Sequence, residues 1–274
     1  MNTASAFLTM EEHEAWFRAY ALRLRAQAHD APGPMTLKLE HTFAVLARAR
    51  RIASAEDLPE HLLRAAELAA LYHDVARFEQ YLRWHTFRDS VSVNHGLLGA
   101  QLLKRLRRLE GEEKNTRVLV RAAVALHNRY ALPPSLPDEA RLVTGIVRDA
   151  DKLDILRVME QHLSGTERDA TVVLHVADEP DRFSPEVVEA ALTGRLASYG
   201  QLRYVNDFRI LLGTWIHDLS FASSRRMMAE EGYIRRILDG LPDLPPLRRA
   251  RHALLEKIEA DGASGQPARG QVSG

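Results

Sequence analysis

The chain has 274 residues, of which 46% are apolar and 27% are charged, the balance of an ordinary globular protein. Lysine plus arginine and aspartate plus glutamate each number 37, so the formal net charge is zero and no overall field favours nucleic acid or an anionic membrane. Cysteine is absent, which excludes disulfides, thiolate metal ligands and a cysteine nucleophile.

Apolar residues recur at helical spacing along almost the whole chain, while alternation with a period of two is nearly absent. This pattern predicts an all-α fold, a helical bundle that continues into additional C-terminal helices. The expected helices, in chain order, are Met10–Gln27, Leu39–Ser54, Pro59–His73, Asn94–Leu109, Thr116–Asn128, Pro137–Met159, Pro185–Tyr199, Val205–Phe221, Ser224–Leu241 and Pro246–Asp261. Thr171–Val176 is the one β-branched run that fits a short extended segment.

The predicted helices fall into four consecutive parts of one globular protein. Residues 1–35 supply an N-terminal helix that packs on the core, residues 36–160 carry the candidate site, residues 161–261 form a helical extension, and residues 262–274 form a flexible tail with little to bury. The chain start lacks the features of a signal peptide, and no window approaches the roughly 18 apolar residues of a membrane span. We therefore expect a cytoplasmic protein.

Twelve histidines are present, and their neighbours separate surface imidazoles from candidate ligands. Charged or polar neighbours, typical of solvated imidazoles, surround His13, His29, His61, His162 and His252. His85 is predicted to lie on the wall of a cleft rather than to act as a ligand.

Six other polar side chains stand at the edges of apolar segments rich in small residues. They are His41, His73, Asp74, His95, His127 and Asp151. Taken singly, each is better explained as a core histidine with a backbone hydrogen bond or as an aspartate paired with an arginine. Together in one bundle they favour a metal site, because a buried aspartate costs several kcal/mol unless it meets a cation. Without thiolates, the ligand set suits divalent Mn, Fe, Co, Ni or Zn, and leans toward Mn or Fe.

The order His41, then His73-Asp74, then Asp151 resembles the H…HD…D signature of the HD superfamily of metal-dependent phosphohydrolases. The resemblance covers residues 36–160 strongly and the rest loosely, and it implies that this segment is an HD-domain helical bundle. The ligand role is carried to Asp151 because the second acid of such a DxD is the usual ligand in the family. Asp149 stays open as the alternative.

His95 and His127 extend the resemblance to HD proteins that hold two metals, which have two further histidines between the HD pair and the last aspartate. HD-GYP phosphodiesterases and HD-type di-iron oxygenases are examples. The HHExxDGxGYP continuation is missing after His127, so specificity for cyclic-di-GMP is not implied. A second HD dipeptide, His217-Asp218, lacks the later histidines and DxD and is predicted to be a core or interface pair.

The resemblance also implies a mechanism, in which a metal-activated hydroxide attacks phosphorus. It makes Asp74 the bridge between two divalent ions, and it gives His41, His73 and Asp151 to the first ion and His95 and His127 to the second. Arg77 and Lys152 are the predicted catalytic cations for the phosphate oxygens, with Arg129 and Lys38 as second choices.

The expected partner is a small phosphomonoester or phosphodiester, with a nucleotide as the favoured example, and neither nucleic acid nor a membrane. Two other functions stay open: an HD-type di-iron oxygenase and a non-catalytic module that senses a nucleotide. Two roles also stay open for the second half of the chain, which contains Trp215, Phe221 and Tyr233: it covers the cleft, or it forms the face of a homodimer.

Overall fold

A computed structural model describes residues 7–28, 33–164 and 176–264. Helices dominate these ranges, and their only β-type pairing is an isolated bridge between Ala177 and Tyr204, so the predicted all-α class is confirmed. No helix in the described ranges combines the length and the apolar character that crossing a bilayer requires. The chain divides into two units, Met1–Asp154 and Ile155–Gly274.

The first unit contains the predicted ligands. Its helices are α1 (Met10–Arg25), α2 (Gly33–Ala55), α3 (Glu60–Tyr72), α4 (Arg77–Trp84), α5 (His95–Arg105) and α6 (Lys114–Leu126), a 3₁₀ turn at Asp89–Val91, and the portion of α7 (Asp138–Ser164) that runs to Asp154.

Helix α3 lies at the centre of this unit and packs against both α2 and α6. Four of its alanines, Ala65, Ala66, Ala69 and Ala70, are completely buried. Small side chains let neighbouring helix backbones approach closely, because little volume separates the two axes. The end of α3 therefore lies beside residues of α2 and α6.

Helices α5 and α6 are in contact through glycines of α5. A Cβ atom at position 96 would lie 2.8 Å from the carbonyl oxygen of Val124 and 3.2 Å from that of Ala125. A Cβ atom at position 99 would lie 3.0 Å from a methyl group of Val124. The absence of side chains at these two positions thus permits the close approach of α5 to α6.

Replacing Gly96 with alanine should lower the free energy of unfolding by about 1–3 kcal/mol, because the new methyl group meets backbone atoms that cannot rotate away. Urea unfolding curves measure this change. Gly33→Ala is the matched control, since no atom lies within 4 Å of a Cβ at that helical position. Equal stability of the Gly96→Ala variant and the wild type would contradict the close contact.

His13 lies in the core of the first unit, so the prediction of a solvated His13 is wrong. Its side chain is completely buried, with Nδ1 2.7 Å from the Tyr72 hydroxyl and Nε2 3.2 Å from the carboxylate of Glu112. The reason is helical periodicity: His13 shares the buried stripe of α1 with Met10 and Phe17.

The other four histidines that were predicted to lie at the surface differ in exposure. His61 and His252 are exposed, as predicted, His162 is half-buried, and His29 lies outside the described residues.

Glu112 closes this buried network by accepting hydrogen bonds from the guanidinium of Arg64 as well as contacting His13. Burial raises the pKa of its carboxyl, but the hydrogen bonds from His13 and Arg64 outweigh burial and lower the pKa to about 2, from an ordinary 4.5. A carboxyl with a lowered folded-state pKa stabilises the fold above its unfolded pKa, and this stability is lost as the pH falls toward the folded value.

The difference in the free energy of unfolding between the wild type and Glu112→Gln should therefore be largest at pH 6. It should decrease below pH 4.5, by about 3 kcal/mol in total as the pH approaches 2. Urea unfolding at a series of pH values measures it. Glu110→Gln, two residues earlier, should show a much weaker pH dependence, because water screens the exposed ion pair of Glu110 with Arg107. A difference for Glu112→Gln that is constant between pH 6 and pH 2.5 would contradict this expectation.

The second unit begins within α7 and continues through α8 (Pro185–Leu192), α9 (Val205–Thr214), α10 (Ala222–Glu231), α11 (Tyr233–Asp239) and α12 (Pro245–Ser264), with 3₁₀ turns at Tyr199–Gln201 and Trp215–His217. Buried Asp207 fixes the start of α9, because its carboxylate accepts hydrogen bonds from the backbone and hydroxyl of Ser184 and from the backbone of Arg203 and Tyr204. These bonds satisfy a charge that would otherwise be costly to bury.

Several predicted boundaries are wrong. Helix α4 was not expected, because eight residues are too few for a clear periodic signal. The predicted helix Ser224–Leu241 is two helices, since Gly232 has a φ of 67° and ends α10 in the left-handed region. The predicted helix Pro185–Tyr199 ends earlier, at Leu192, and Gly194 shortly after it is also in the left-handed region, with a φ of 66°.

The predicted helix Val205–Phe221 ends at Thr214 and tightens into a 3₁₀ turn. Thr171–His175 and residues 265–274 lie outside the described residues.

Candidate metal centre

The first unit brings the six predicted ligands together from five helices, and each ligand lies within its helix or directly after it. His41 lies within α2, His73 and Asp74 directly follow α3, His95 is the first residue of α5, His127 directly follows α6, and Asp151 lies within α7. Five of the six are buried, and Asp151 is half-buried. The close packing of α3 against α2 and α6, and of α5 against α6, is what makes these positions neighbours.

The six side chains form two groups that could each hold a metal ion. The first group is His41, His73 and Asp151, and the second group is Asp74, His95 and His127. Within each group the ligand atoms lie within 4.8 Å of one another. Asp149 is completely buried but belongs to neither group, so the geometry favours Asp151 in the DxD motif.

Asp74 lies between the two groups. Its Oδ2 atom is 3.5 Å from Nε2 of His73 and 3.8 Å from Nε2 of His41. Its Oδ1 atom is 3.3 Å from Nε2 of His95 and 3.9 Å from Nε2 of His127. One oxygen of the carboxylate thus faces each group, which is the arrangement that a bridging carboxylate requires.

Each of the four histidines has its Nδ1 atom held by an acceptor. Nδ1 of His73 donates to the carbonyl oxygen of Ala70 at 2.7 Å, and Nδ1 of His127 donates to that of Val124 at 2.9 Å.

The other two histidines are held by carboxylates. Nδ1 of His41 lies 2.7 Å from Asp154, and Nδ1 of His95 lies 2.7 Å from Asp89. A ring that carries its proton on Nδ1 has a free lone pair on Nε2, so all four rings are oriented to offer Nε2 to a ligand.

Two pairs of these Nε2 atoms lie so close together that two unprotonated nitrogen atoms would repel each other. Nε2 of His95 is 3.0 Å from Nε2 of His127, and Nε2 of His73 is 3.4 Å from Nε2 of His41. With Nδ1 of His95 and His127 already donating, no proton remains between that pair. A cation between the two nitrogen atoms removes the repulsion, so this donor set fits a metal ion.

The charge states of the histidines also fit metal binding. Burial lowers the pKa of His95 and of His127 to about 4 and also lowers the pKa of His73, so these three rings are neutral at physiological pH. Burial opposes protonation of His41 as well, but its hydrogen bonds to Asp151 and Asp154 outweigh burial and raise its pKa. A divalent ion in the first group would therefore compete with a proton for Nε2 of His41.

Two cations stand beside Asp74. Nζ of Lys38 lies 2.6 Å from its Oδ2 atom, and Nε of Arg77 lies 3.3 Å from its Oδ1 atom. Burial raises the pKa of Asp74, but the nearby positive charges, that of Lys38 first and that of Arg77 as well, outweigh burial and hold that pKa well below the ordinary range of a carboxyl. Asp74 is therefore ionised at neutral pH.

The other predicted residues lie in varied surroundings. Arg77 begins a new helix, α4, rather than continuing α3, and reaches Asp74 across a tight turn. Lys152 is half-buried on α7 next to Asp151, and the side chain of Arg129 is exposed. His85 is exposed and ends α4 in the left-handed region. His217 belongs to the second unit and to neither group of ligands.

Asp89 and Asp154, the two carboxylates that hold His95 and His41, were not predicted to have a role. Asp154 stands three residues after Asp151, and this spacing places both on one face of α7. That spacing is a signal that could have identified Asp154. Asp89 lies on a turn, and no periodicity in the sequence connects it to His95.

The first unit gathers four histidines and two aspartates into two adjoining groups of candidate ligands. It is therefore a helical unit with a candidate centre for metal ions. The comparison with family models identifies residues 39–156 as an HD domain. All six predicted ligands lie in this segment. This match confirms, for residues 39–156, the resemblance to the HD superfamily that the sequence indicated. Comparisons with curated proteins and with solved structures gave no match.

Proposed function

We propose that this protein is a metal-dependent phosphohydrolase that cleaves a small phosphomonoester or phosphodiester, with a nucleotide as the favoured substrate. The observation that carries the proposal is the position of Asp74, which turns one carboxylate oxygen toward each of two buried groups of ligands. In this proposal His41, His73 and Asp151 hold one divalent ion, His95 and His127 hold a second, and Asp74 contributes to both.

Two divalent ions at such a centre supply a water molecule of lowered pKa and a positive field for the phosphoryl oxygens. The protein's own contribution begins with orientation. Hydrogen bonds at Nδ1 hold the four imidazoles in place before any ligand arrives, so little ordering is needed when ions or substrate bind.

Lys38, Arg77 and Lys152 are the proposed cations of the reaction. Lys38 and Arg77 lie within hydrogen-bond distance of Asp74, and Lys152 is the neighbour of Asp151. In a chain of zero net charge, this local concentration of cations beside a buried carboxylate supports binding of an anionic phosphate ester. The contact with Asp74 makes Lys38 a stronger candidate than its place as a second choice from sequence suggested.

The experiment that tests the function is a panel of nucleotides, cyclic dinucleotides and simple phosphomonoesters, assayed with protein of measured metal content. We expect release of phosphate or of a phosphomonoester with Mn²⁺ and without consumption of oxygen. The same protein reconstituted with iron in air serves as the comparison. Oxygen uptake with no phosphate release would instead identify an oxygenase, and nucleotide binding without turnover under any condition would identify a sensor.

A further inference from the structure

Asp89 connects two parts of the candidate centre. It is the first residue of the 3₁₀ turn that precedes α5, and its Oδ2 atom lies 2.7 Å from Nδ1 of His95. The amide of Asn128 also donates to this oxygen, at 3.0 Å. The His95 ring is therefore held from behind, with Nε2 turned toward Asp74.

The other oxygen of Asp89 faces a different set of donors. Nη1 of Arg77 and Nε2 of Gln80 each donate to Oδ1 at 3.0 Å. Arg77 in turn contacts Asp74 through Nε, and Asp74 lies 3.3 Å from Nε2 of His95. Asp89, His95, Asp74 and Arg77 thus form a closed ring of contacts, and Asp89 is the member of that ring that lies outside both groups of ligands and is not one of the proposed cations.

Asp154 holds the equivalent position behind His41, but in other surroundings. Asp154 is completely buried on α7 and also accepts a hydrogen bond from Arg48. The side chain of Asp89 is 29% exposed and belongs to a three-residue turn. The two groups therefore have similar ligands but separate carboxylate supports, so a change at one support should affect one ion.

We propose that Asp89 is the positioning residue for the second group: by holding His95 it makes the ion at His95 and His127 bind tightly, and it links that ion to Arg77. This inference rests on the two-ion centre of the proposed function and not on the reaction catalysed there. A carboxylate that hydrogen-bonds the far nitrogen of a metal-binding histidine contributes about 10- to 100-fold to metal affinity.

The test is titration calorimetry of metal-free protein with Mn²⁺, followed by elemental analysis. Asp89→Asn, which is isosteric and removes the charge, should lower the affinity for one of the two ions by about 10- to 100-fold and leave the other unchanged. Asp89→Glu keeps the charge but displaces it, and should retain two ions with intermediate affinity for one. Asp243→Asn is the control, since that side chain is 82% exposed and belongs to the second unit.

Double variants show whether Asp89 acts through His95. In a His95→Ala protein, which we expect to retain one ion, Asp89→Asn should change nothing further. In a His41→Ala protein, which we expect to retain the ion of the second group, Asp89→Asn should weaken that remaining ion.

Two bound ions of unchanged affinity in Asp89→Asn, or equal weakening of both, would overturn the role of Asp89 while leaving the proposed function intact. A wild-type protein that binds fewer than two ions would overturn the two-ion centre, and this inference with it.

Discussion

Replacing Asp74 with asparagine should abolish binding of both metal ions and reduce hydrolysis of the best phosphate ester at least about a thousandfold. The substitution preserves the shape of the side chain but removes the one negative charge that faces both groups of ligands. It also leaves Lys38 and Arg77 beside a neutral amide, so their unbalanced positive charges would oppose the binding of ions nearby. Elemental analysis and steady-state assays with Mn²⁺ measure the two effects.

Asp218→Asn is the matched control, because it makes the same change in the second HD dipeptide, which lies in the second unit. We expect this variant to keep the metal content and the turnover of the wild type. Normal metal content in the Asp74→Asn protein would contradict the bridging role. Loss of metal from Asp218→Asn with retention by Asp74→Asn would show that the other HD pair is the functional one.

Removing the metal ions with a chelator should lower the free energy of unfolding by about 2.7 kcal/mol for each ion, and so by about 5.4 kcal/mol for two, relative to protein in free metal at one hundred times the dissociation constant of each site. The ions bind the folded chain because only folding brings the four histidines together. Without them, the Nε2 atoms of His95 and His127 face each other at 3.0 Å with no proton between them.

Urea unfolding with and without excess Mn²⁺ measures this stabilisation, and adding metal back to the chelated protein should restore it. The Asp74→Asn variant is the control, since its unfolding curve should not respond to metal. Superimposable curves for wild-type protein with and without Mn²⁺ would show that the ions do not bind preferentially to the folded state.

Much of the candidate site was predictable because each ligand stands at a recognisable place in the sequence. His73 and Asp74 end a run of small apolar residues, and His127 ends another. Helical periodicity then indicates that both runs are buried. The HD spacing relates these positions to His41 and Asp151, and the family match over residues 39–156 agrees with that interpretation.

The parts that were missed include one that gives no periodic signal in the sequence. Asp89 lies a few residues before His95 but reaches its ring from a 3₁₀ turn, where helical spacing does not relate the two positions. His13 has polar neighbours along the chain, yet it is buried because the face of α1 on which it lies packs against Tyr72. Gly232 was included in a predicted helix because a single glycine does not prevent a helical pattern from continuing on either side.

The most direct test of the two-ion centre is an anomalous-scattering map from crystals of the protein loaded with Mn²⁺. We predict two peaks about 3.5–4 Å apart on either side of the Asp74 carboxylate, one beside His41, His73 and Asp151 and the other beside His95 and His127. A single peak, or peaks that lie away from these six side chains, would contradict the two-ion centre.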